Sequence, residues 1–235
     1  MHRHACYETR HGRDDTLALH RHADAYAALV LDGSHVEVSV DGARECTPGT
    51  LVLHPRFHAH GNRFGRSGAR VINLALPMTA HDGSRVVRVH DLRETRRCFE
   101  RGDLATLQRL LAEATSAPER DNDDSWRAAF LAALRDDDAP IAAIARRIGV
   151  SAAYASRALR RSHGMGPQAL RRELRFRRAL MLLCSGDRLA DVAQQAGFAD
   201  QSHMTRTVRA HSGLTPSQLR GQVKCVQDRA ACAMA

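Results

Sequence analysis

Ile144-Ala-Arg-Arg-Ile-Gly-Val150 and Val192-Ala-Gln-Gln-Ala-Gly-Phe198 align at an offset of 48, and Gly164-Met-Gly-Pro-Gln-Ala-Leu-Arg171 aligns with Gly213-Leu-Thr-Pro-Ser-Gln-Leu-Arg220 at an offset of 49. Two copies of one supersecondary unit are therefore present. Each copy opens with an apolar face at helical spacing: Ile141, Ile144, Ala145 and Ile148 in the first, Leu189, Val192, Ala193 and Ala196 in the second. Gly149 and Gly197 follow as residues able to reverse the chain at positive φ. Ser151 and Asp200 are suited to N-cap the helix that comes next. Helix, glycine turn and capped helix make a helix-turn-helix unit, whose second helix can enter a major groove.

Charge follows the repeat. Residues 139–221 hold 14 Lys+Arg against 4 Asp+Glu, a balance of +10, while the rest of the chain holds 21 against 22. The formal +9 of the chain thus belongs to the repeated segment, which points to a polyanion, nucleic acid first. A length of 235 residues with 43% hydrophobic side chains suits two compact domains and excludes collagen-like, disordered and disulfide-miniprotein classes. No apolar run approaches the roughly 18–20 residues that cross a bilayer, and the start of the chain is polar, so no membrane partner and a cytoplasmic location are expected. Six cysteines without a Cys-x-x-Cys pair read as free thiols.

Histidine has the opposite distribution, with 11 of 14 at or before His90. From Thr16 to His90 the chain reads as short antiparallel strands, at 26–31, 35–40, 50–54 and 71–76. In His35-Val-Glu-Val-Ser-Val40 the alternation puts valines on one face and polar side chains on the other. Asp32-Gly33 and Asp41-Gly42 bracket it as hairpin turns. Several such strands indicate a barrel or jelly roll. Residues 91–116 become helical, with Leu104, Leu107, Leu110 and Leu111 as an apolar stripe that either packs on the barrel or forms a homodimer contact. Residues 117–125 read as a linker, and a helix over 126–134, ended by Asp136-Asp-Asp138, opens the basic domain. Residues 222–235 read as a tail.

Two resemblances follow from these residues. His20-Arg-His22 with Gly33, then Pro48-Gly49 and His58-Ala-His60-Gly-Asn62, resemble the two signature motifs of the cupin fold over about residues 16–77. The resemblance implies a divalent metal held by His20, His22 and His60, with His58 two residues away on the same face. The family's glutamate is missing, since Tyr26 and neighbouring alanines stand where it is expected. Three imidazoles still suit Zn, Ni, Cu or Fe; on the other reading the histidines, with Arg21 and Arg56, line a small-molecule pocket and no cofactor is required. Residues 126–221 resemble the DNA-binding domain of AraC/XylS regulators, most specifically over Ala193-Gln-Gln-Ala-Gly-Phe-Ala-Asp200 and the residues up to Arg220. In that family a long helix, here about residues 167–184, joins the two units. Leu159, Met204 and Val208 stand where the family usually has large aromatics.

The expected fold class is therefore α+β: a cupin-like barrel over 1–90, then an all-α double helix-turn-helix domain over 126–221. The expected function is a DNA-binding transcription regulator responding to a small-molecule effector or metal, with promoter DNA and RNA polymerase as partners. A cupin metalloenzyme, a dioxygenase or isomerase with a nucleic-acid-binding appendage, is the alternative. With Met204 and Val208 facing the core, Gln201, Ser202, Thr205, Arg206 and Arg209 point outward. With Leu159 and Tyr154 or Ala155 inward, Ala153, Ser156, Arg157 and Arg160 point outward. Arg157 and Arg206 are equivalent under the repeat and are first candidates for guanine contacts, and Gln201 for an adenine contact. Ala153, Ser156, Ser202 and Thr205 complete the base-reading set, and Arg160, Arg161, Arg171, Arg172 and Arg209 are assigned to phosphates.

Overall fold

A computed structural model describes residues 6–77, 84–116 and 125–222. The expected linker and tail lie, apart from Ser125 and Gln222, outside the described residues. The chain divides between Asn122 and Asp123 into two compact units.

The first unit is an antiparallel sheet with a helical layer. Its strands are β1 (Cys6–His11), β2 (Thr16–His20), β3 (Tyr26–Ser39), β4 (Gly42–Cys46), β5 (Thr50–His54), β6 (His60–Ala75), β7 (Arg85–Arg88) and, after the helices α1 (Leu92–Arg101) and α2 (Leu104–Glu113), β8 (Thr115–Ser116). The order β1-β6-β3-β5-β7-β8, with β2 on β6 and β4 on β3, leaves the sheet unclosed. The expected closed barrel is thus corrected to an open, curled sheet.

β3 and β6 form one long ribbon, from Tyr26 opposite Ala75 to Ser39 opposite His60. Asp32-Gly33 was expected as a hairpin turn, but the strand runs through it, pairing Asp32 with Arg70 and Gly33 with Ala69. Register shifts flank this point, between Val30 and Asp32 and between Gly33 and His35. A bulge of this kind re-aims the side chains beyond it. Before it, Tyr26, Ala28 and Val30 line a cavity while Ala27, Leu29 and Leu31 join the core; after it, His35 and Glu37 line the cavity. The polar members of the alternating run, His35, Glu37 and Ser39, are accordingly buried, and Val38 and Val40 are buried too. Asp41-Gly42 does form the expected tight turn, into β4.

On the other face, Leu29, Leu51, Leu53, Ile72 and Leu74 pack with Phe99 of α1 and Leu107 of α2. The segment expected as one helical stretch is two helices. Gly102 ends α1 in the left-handed region, and Asp103 caps α2 by accepting from the Thr106 backbone N–H. Of the two readings of the leucine stripe, packing on the sheet is the one this chain displays: Leu107 and Leu110 are buried, and Leu104 and Leu111 pack half-buried on the core.

The second unit is all-helical: α3 (Ser125–Asp136), α4 (Ile141–Ile148), α5 (Ala152–His163), α6 (Pro167–Leu182), α7 (Leu189–Gln195) and α8 (Gln201–Ser212), with residues 216–222 helical after them. α6 packs on α3, α7 and α8. Among the described residues no helix is long and apolar enough to cross a membrane, and Cys6, Cys46, Cys98 and Cys184 are free thiols.

Gly33 and Gly68 lie back to back in the ribbon at φ 71 and 65. A Cβ on Gly68 would stand 2.2 Å from the His11 carbonyl oxygen, and one on Gly33 2.1 Å from that of Gly68. Gly68→Ala is expected to cost more than about 2 kcal/mol, because backbone must move as well as strain be absorbed. Gly213→Ala, at φ 75 with nothing near its Cβ, should cost only about 1 kcal/mol, the strain alone. Urea unfolding followed by far-ultraviolet circular dichroism measures both; equal costs would contradict the close approach.

Candidate nucleic-acid interface and histidine-lined cavity

In the second unit both repeats build the same corner. Gly149 at φ 82 and Gly197 at φ 83 reverse the chain. Ser151 Oγ accepts from the Tyr154 backbone N–H at 3.1 Å, and Asp200 Oδ1 from that of His203 at 2.6 Å. These bonds satisfy backbone donors that the first turns of α5 and α8 leave without intrahelical partners. Leu159 and Ala155 on α5, and Met204 and Val208 on α8, are fully buried. Smaller apolar residues thus fill the positions where aromatics were expected. Tyr154 faces out, 5.5 Å from the Trp126 ring, so Ala155 is the inward partner of Leu159.

The burial of these residues aims the rest. Ala153, Arg157, Gln201, Ser202 and Arg206 are exposed, and Ser156 and Thr205 half-exposed. Arg157 and Arg206 thus occupy matching outward positions on matching helices. Thr205 Oγ1 is turned back to the Gln201 carbonyl at 2.8 Å. Arg160, Arg161, Arg172 and Arg209 are exposed, and Arg160 is held by Ser156 Oγ at 2.6 Å. A groove lined by Ser156, Arg160, Gly166, Gln168 and Arg172 lies at the N-terminus of α6, which has no side-chain cap.

Arg171 departs from the phosphate assignment. It is buried and donates from Nη2 to the Ala139 carbonyl at 2.7 Å, bracing α6 against the turn before α4. Burial lowers its pKa below the usual arginine value. The acidic run after α3 braces others: Asp137 holds Arg147 at 2.7 Å, Asp136 lies 3.6 Å from Arg178, and Asp138 pairs with Arg175. Part of the +10 is therefore internal, and α5, α8 and the start of α6 carry the charge left facing outward.

In the first unit the bulged ribbon encloses a cavity of about 120 Å³. His20, His22, Tyr26, His35, Glu37, His54 and His60 line it together with apolar residues such as Val30 and Phe64. Coordinating atoms of His20, His22 and His60 lie within 4.8 Å of one another, so the structure brings together three of the four histidines singled out from the sequence. His58 falls in a different group, with Glu37 and His54. Neither of those two was singled out: Glu37 was placed on the polar face of its strand, and His54 at the end of the strand over 50–54. Arg21 and Arg56 are not in the lining. They tie down the turn after β5, Arg56 Nε donating to the Ala23 carbonyl at 2.7 Å and Arg21 Nη1 to the Phe57 carbonyl at 3.4 Å. Phe57, at φ 60, marks the strain of that turn.

Hydrogen bonds set the imidazole tautomers. A carbonyl only accepts, so His20 Nδ1, 2.9 Å from the Ala18 oxygen, carries the proton in the neutral ring and leaves Nε2 as a lone pair. His60 Nδ1 faces the His58 carbonyl at 3.3 Å, and the Tyr26 hydroxyl donates to His60 Nε2 at 2.9 Å. Burial lowers His60 to about 3 and His35 to about 4, with neighbouring histidines adding to it. Burial and the histidine cluster also hold His54 well below its usual range. Glu37 moves the other way, raised to about 8 by burial and by Asp41.

Residues 144–222 match a family model described as Helix-turn-helix domain. No curated protein matches the chain. Among solved structures, the chain is similar to ToxT from Vibrio cholerae O395, at 12% identity and TM-score 0.45, covering 94% of this chain and 98% of that one. It is also similar to an AraC-type DNA-binding regulator from Chromobacterium violaceum, at 26% identity and TM-score 0.38, covering 42% of this chain and 89% of that one. A third is the C-terminal domain of AraT from Geobacillus stearothermophilus, at 22% identity and TM-score 0.38, covering 41% of this chain and 81% of that one. The family match, over the paired, capped and arginine-bearing helices, shows that the second unit holds a helix-turn-helix domain.

Two predictions follow from these environments. His35, His54 and His60 have folded pKa values below the unfolded one, so their contribution is present above about pH 6.5 and lost as pH falls toward the folded values. Glu37 has a raised folded pKa, so its contribution is present below about pH 4.5 and lost as pH rises through 8. Three groups against one make stability fall on acidification from about 6.5 to 4.5, with a shallower fall toward pH 8. Thermal unfolding of the full chain in EDTA across this range should show a maximum near pH 6.5; a flat profile would refute the neutral-histidine assignment. Arg171→Ala should lower the melting temperature of the helical unit while leaving the salt dependence of DNA binding unchanged.

Proposed function

We propose that this protein is a transcription regulator of the AraC type, which reads promoter DNA through α5 and α8 and is controlled by a small effector bound in the histidine-lined cavity. The observation that carries the DNA-reading part is the matched, outward placement of Arg157 and Arg206 on two helices with the same glycine turn, side-chain N-cap and buried face. Arg can engage O6 and N7 of guanine together, and such a contact discriminates by about 1–3 kcal/mol. Gln201 is placed for adenine, and Ser156, Ser202 and Thr205 for thymine methyls or phosphate. The α6 N-terminus with Arg160 and Arg172 suits a backbone phosphate. Binding of this kind places the protein's work in the cytoplasm, with RNA polymerase as the partner recruited or blocked.

A cavity of about 120 Å³ is well below the roughly 300 Å³ that drug-sized ligands need. The effector class it favours is a hydrated ion or a molecule of a few heavy atoms. Fatty acid is bound by a ToxT structure, and a chain of that size does not suit this cavity. His20, His22 and His60 offer three imidazole donors to a divalent ion, which would displace the Tyr26 hydroxyl from His60 Nε2. An effector that favours one conformational state shifts DNA affinity only by its differential affinity for the two states.

Binding titrations on selected and random duplexes at several salt concentrations test the DNA-reading part. Arg206→Ala should lose discrimination at one base position, by about 1–3 kcal/mol, while Arg172→Ala and Arg209→Ala should weaken both duplexes and reduce the salt slope by about one. Equal losses on both duplexes for Arg206→Ala would overturn its base-reading role.

A further inference from the structure

A second group of side chains able to bind a metal, two of them in the cavity wall, differs from the triad that the cupin resemblance implies. Glu37 on β3, His54 at the end of β5 and His58 in the following turn are all buried, and their coordinating atoms lie within 4.8 Å of one another. His54 Nε2 is 3.4 Å from Glu37 Oε2. Two ligands of a tetrahedral zinc site with bonds of about 2.1 Å stand about 3.4 Å apart. Asp41 Oδ2, which accepts from the Ser84 backbone N–H and hydroxyl, lies 3.8 Å from His58 Nε2 and is partly exposed.

The environment of this group favours an ion over a self-sufficient hydrogen-bonded cluster. His54 Nδ1 is buried without a hydrogen-bond partner, as is His35 Nδ1. Buried polar atoms are nearly always satisfied, so these unpaired ring nitrogens show that hydrogen bonds alone do not complete the cluster. A carboxyl beside two imidazoles in an apolar wall is also a costly thing to bury without a compensating cation. Two imidazoles and one carboxylate suit a first-row divalent ion such as zinc, iron or cobalt better than calcium or magnesium, which take oxygen ligands.

We propose that Glu37, His54 and His58 bind one divalent transition-metal ion, at a site separate from His20, His22 and His60. The two groups are neighbours, since the rings of His54 and His60 are 4.4 Å apart. The bulge in β3 creates the site by turning Glu37 inward, and the turn strained at Phe57 presents His58 to it. Replacing the carboxyl proton by a cation converts a neutral buried cluster into a coordinated one. This inference stands apart from the DNA-reading function and survives if the His20-His22-His60 group binds no metal.

Cobalt(II) titration of the metal-stripped full chain tests it, read by visible absorption and by metal content after desalting. The His20→Ala, His22→Ala double variant is expected to retain one cobalt per chain with an intense tetrahedral-type spectrum. Glu37→Gln in that background should weaken the remaining binding on the order of 100-fold or more, as should His54→Asn. Circular dichroism melts of the metal-free proteins check that the variants fold, and cobalt should raise the melting temperature of the double variant but not of the triple. Loss of all stoichiometric cobalt in the double variant would overturn the proposal. So would retention of cobalt at unchanged affinity on adding Glu37→Gln, because the ion would then sit elsewhere.

Discussion

Two glycines facing each other across β3 and β6 set the interior of the first unit. With Gly33 and Gly68 both at positive φ, the β1, β3 and β6 backbones approach more closely than any side chain permits. The ribbon bends there, and the register shifts on either side exchange its inward and outward faces. Tyr26 and Ala28 before the bend, and His35 and Glu37 after it, thus share one cavity. The same bend leaves Leu29, Leu51, Ile72 and Leu74 on the opposite face, where α1 and α2 cover them.

The price of the polar interior is visible in proton affinities. Histidines are kept neutral by burial, and a carboxyl is kept protonated by the same low-dielectric surroundings. Such a cluster is sensitive to any cation that enters, since the energetic terms that hold the imidazoles neutral also leave their lone pairs available. In the second unit the electrostatics run differently. Arginines on α6 and α4 are neutralised by the acidic run after α3, which rigidifies the frame, while those on α5 and α8 stay in solvent. Charge there is sorted by position into scaffold and surface, and Arg171 shows that a basic residue within the helix-turn-helix segment need not face solvent.

The helical unit was largely legible in the sequence. Glycine turns, Ser151 and Asp200 caps and the apolar positions of each repeat are local signals, and a helix of known period converts them into inward and outward faces. Leu159, Met204 and Val208 therefore identified the core, and Arg157 and Arg206 the surface, without tertiary information. The miss at Arg171 has a tertiary cause: its partner is a carbonyl at Ala139, more than thirty residues away in the chain. Where strands alternate, the pattern shows that two faces exist but not which is inside. Asp32-Gly33 carries the composition of a hairpin turn and serves as a bulge, because the partner strand continues past it.

Sequence alone determined the existence of two unlike halves, the duplicated helix-turn-helix unit, the outward faces of its helices and the concentration of histidine elsewhere. Local period, capping chemistry and charge balance suffice for these, since each acts within a few turns of the chain. Tertiary structure decided which histidines meet, that Glu37 joins them, that the leucine stripe of α2 belongs to the core and that the sheet stays open. Those outcomes depend on strand register and on a backbone approach between Gly33, Gly68 and His11, contacts between segments far apart in the chain whose geometry no local pattern encodes.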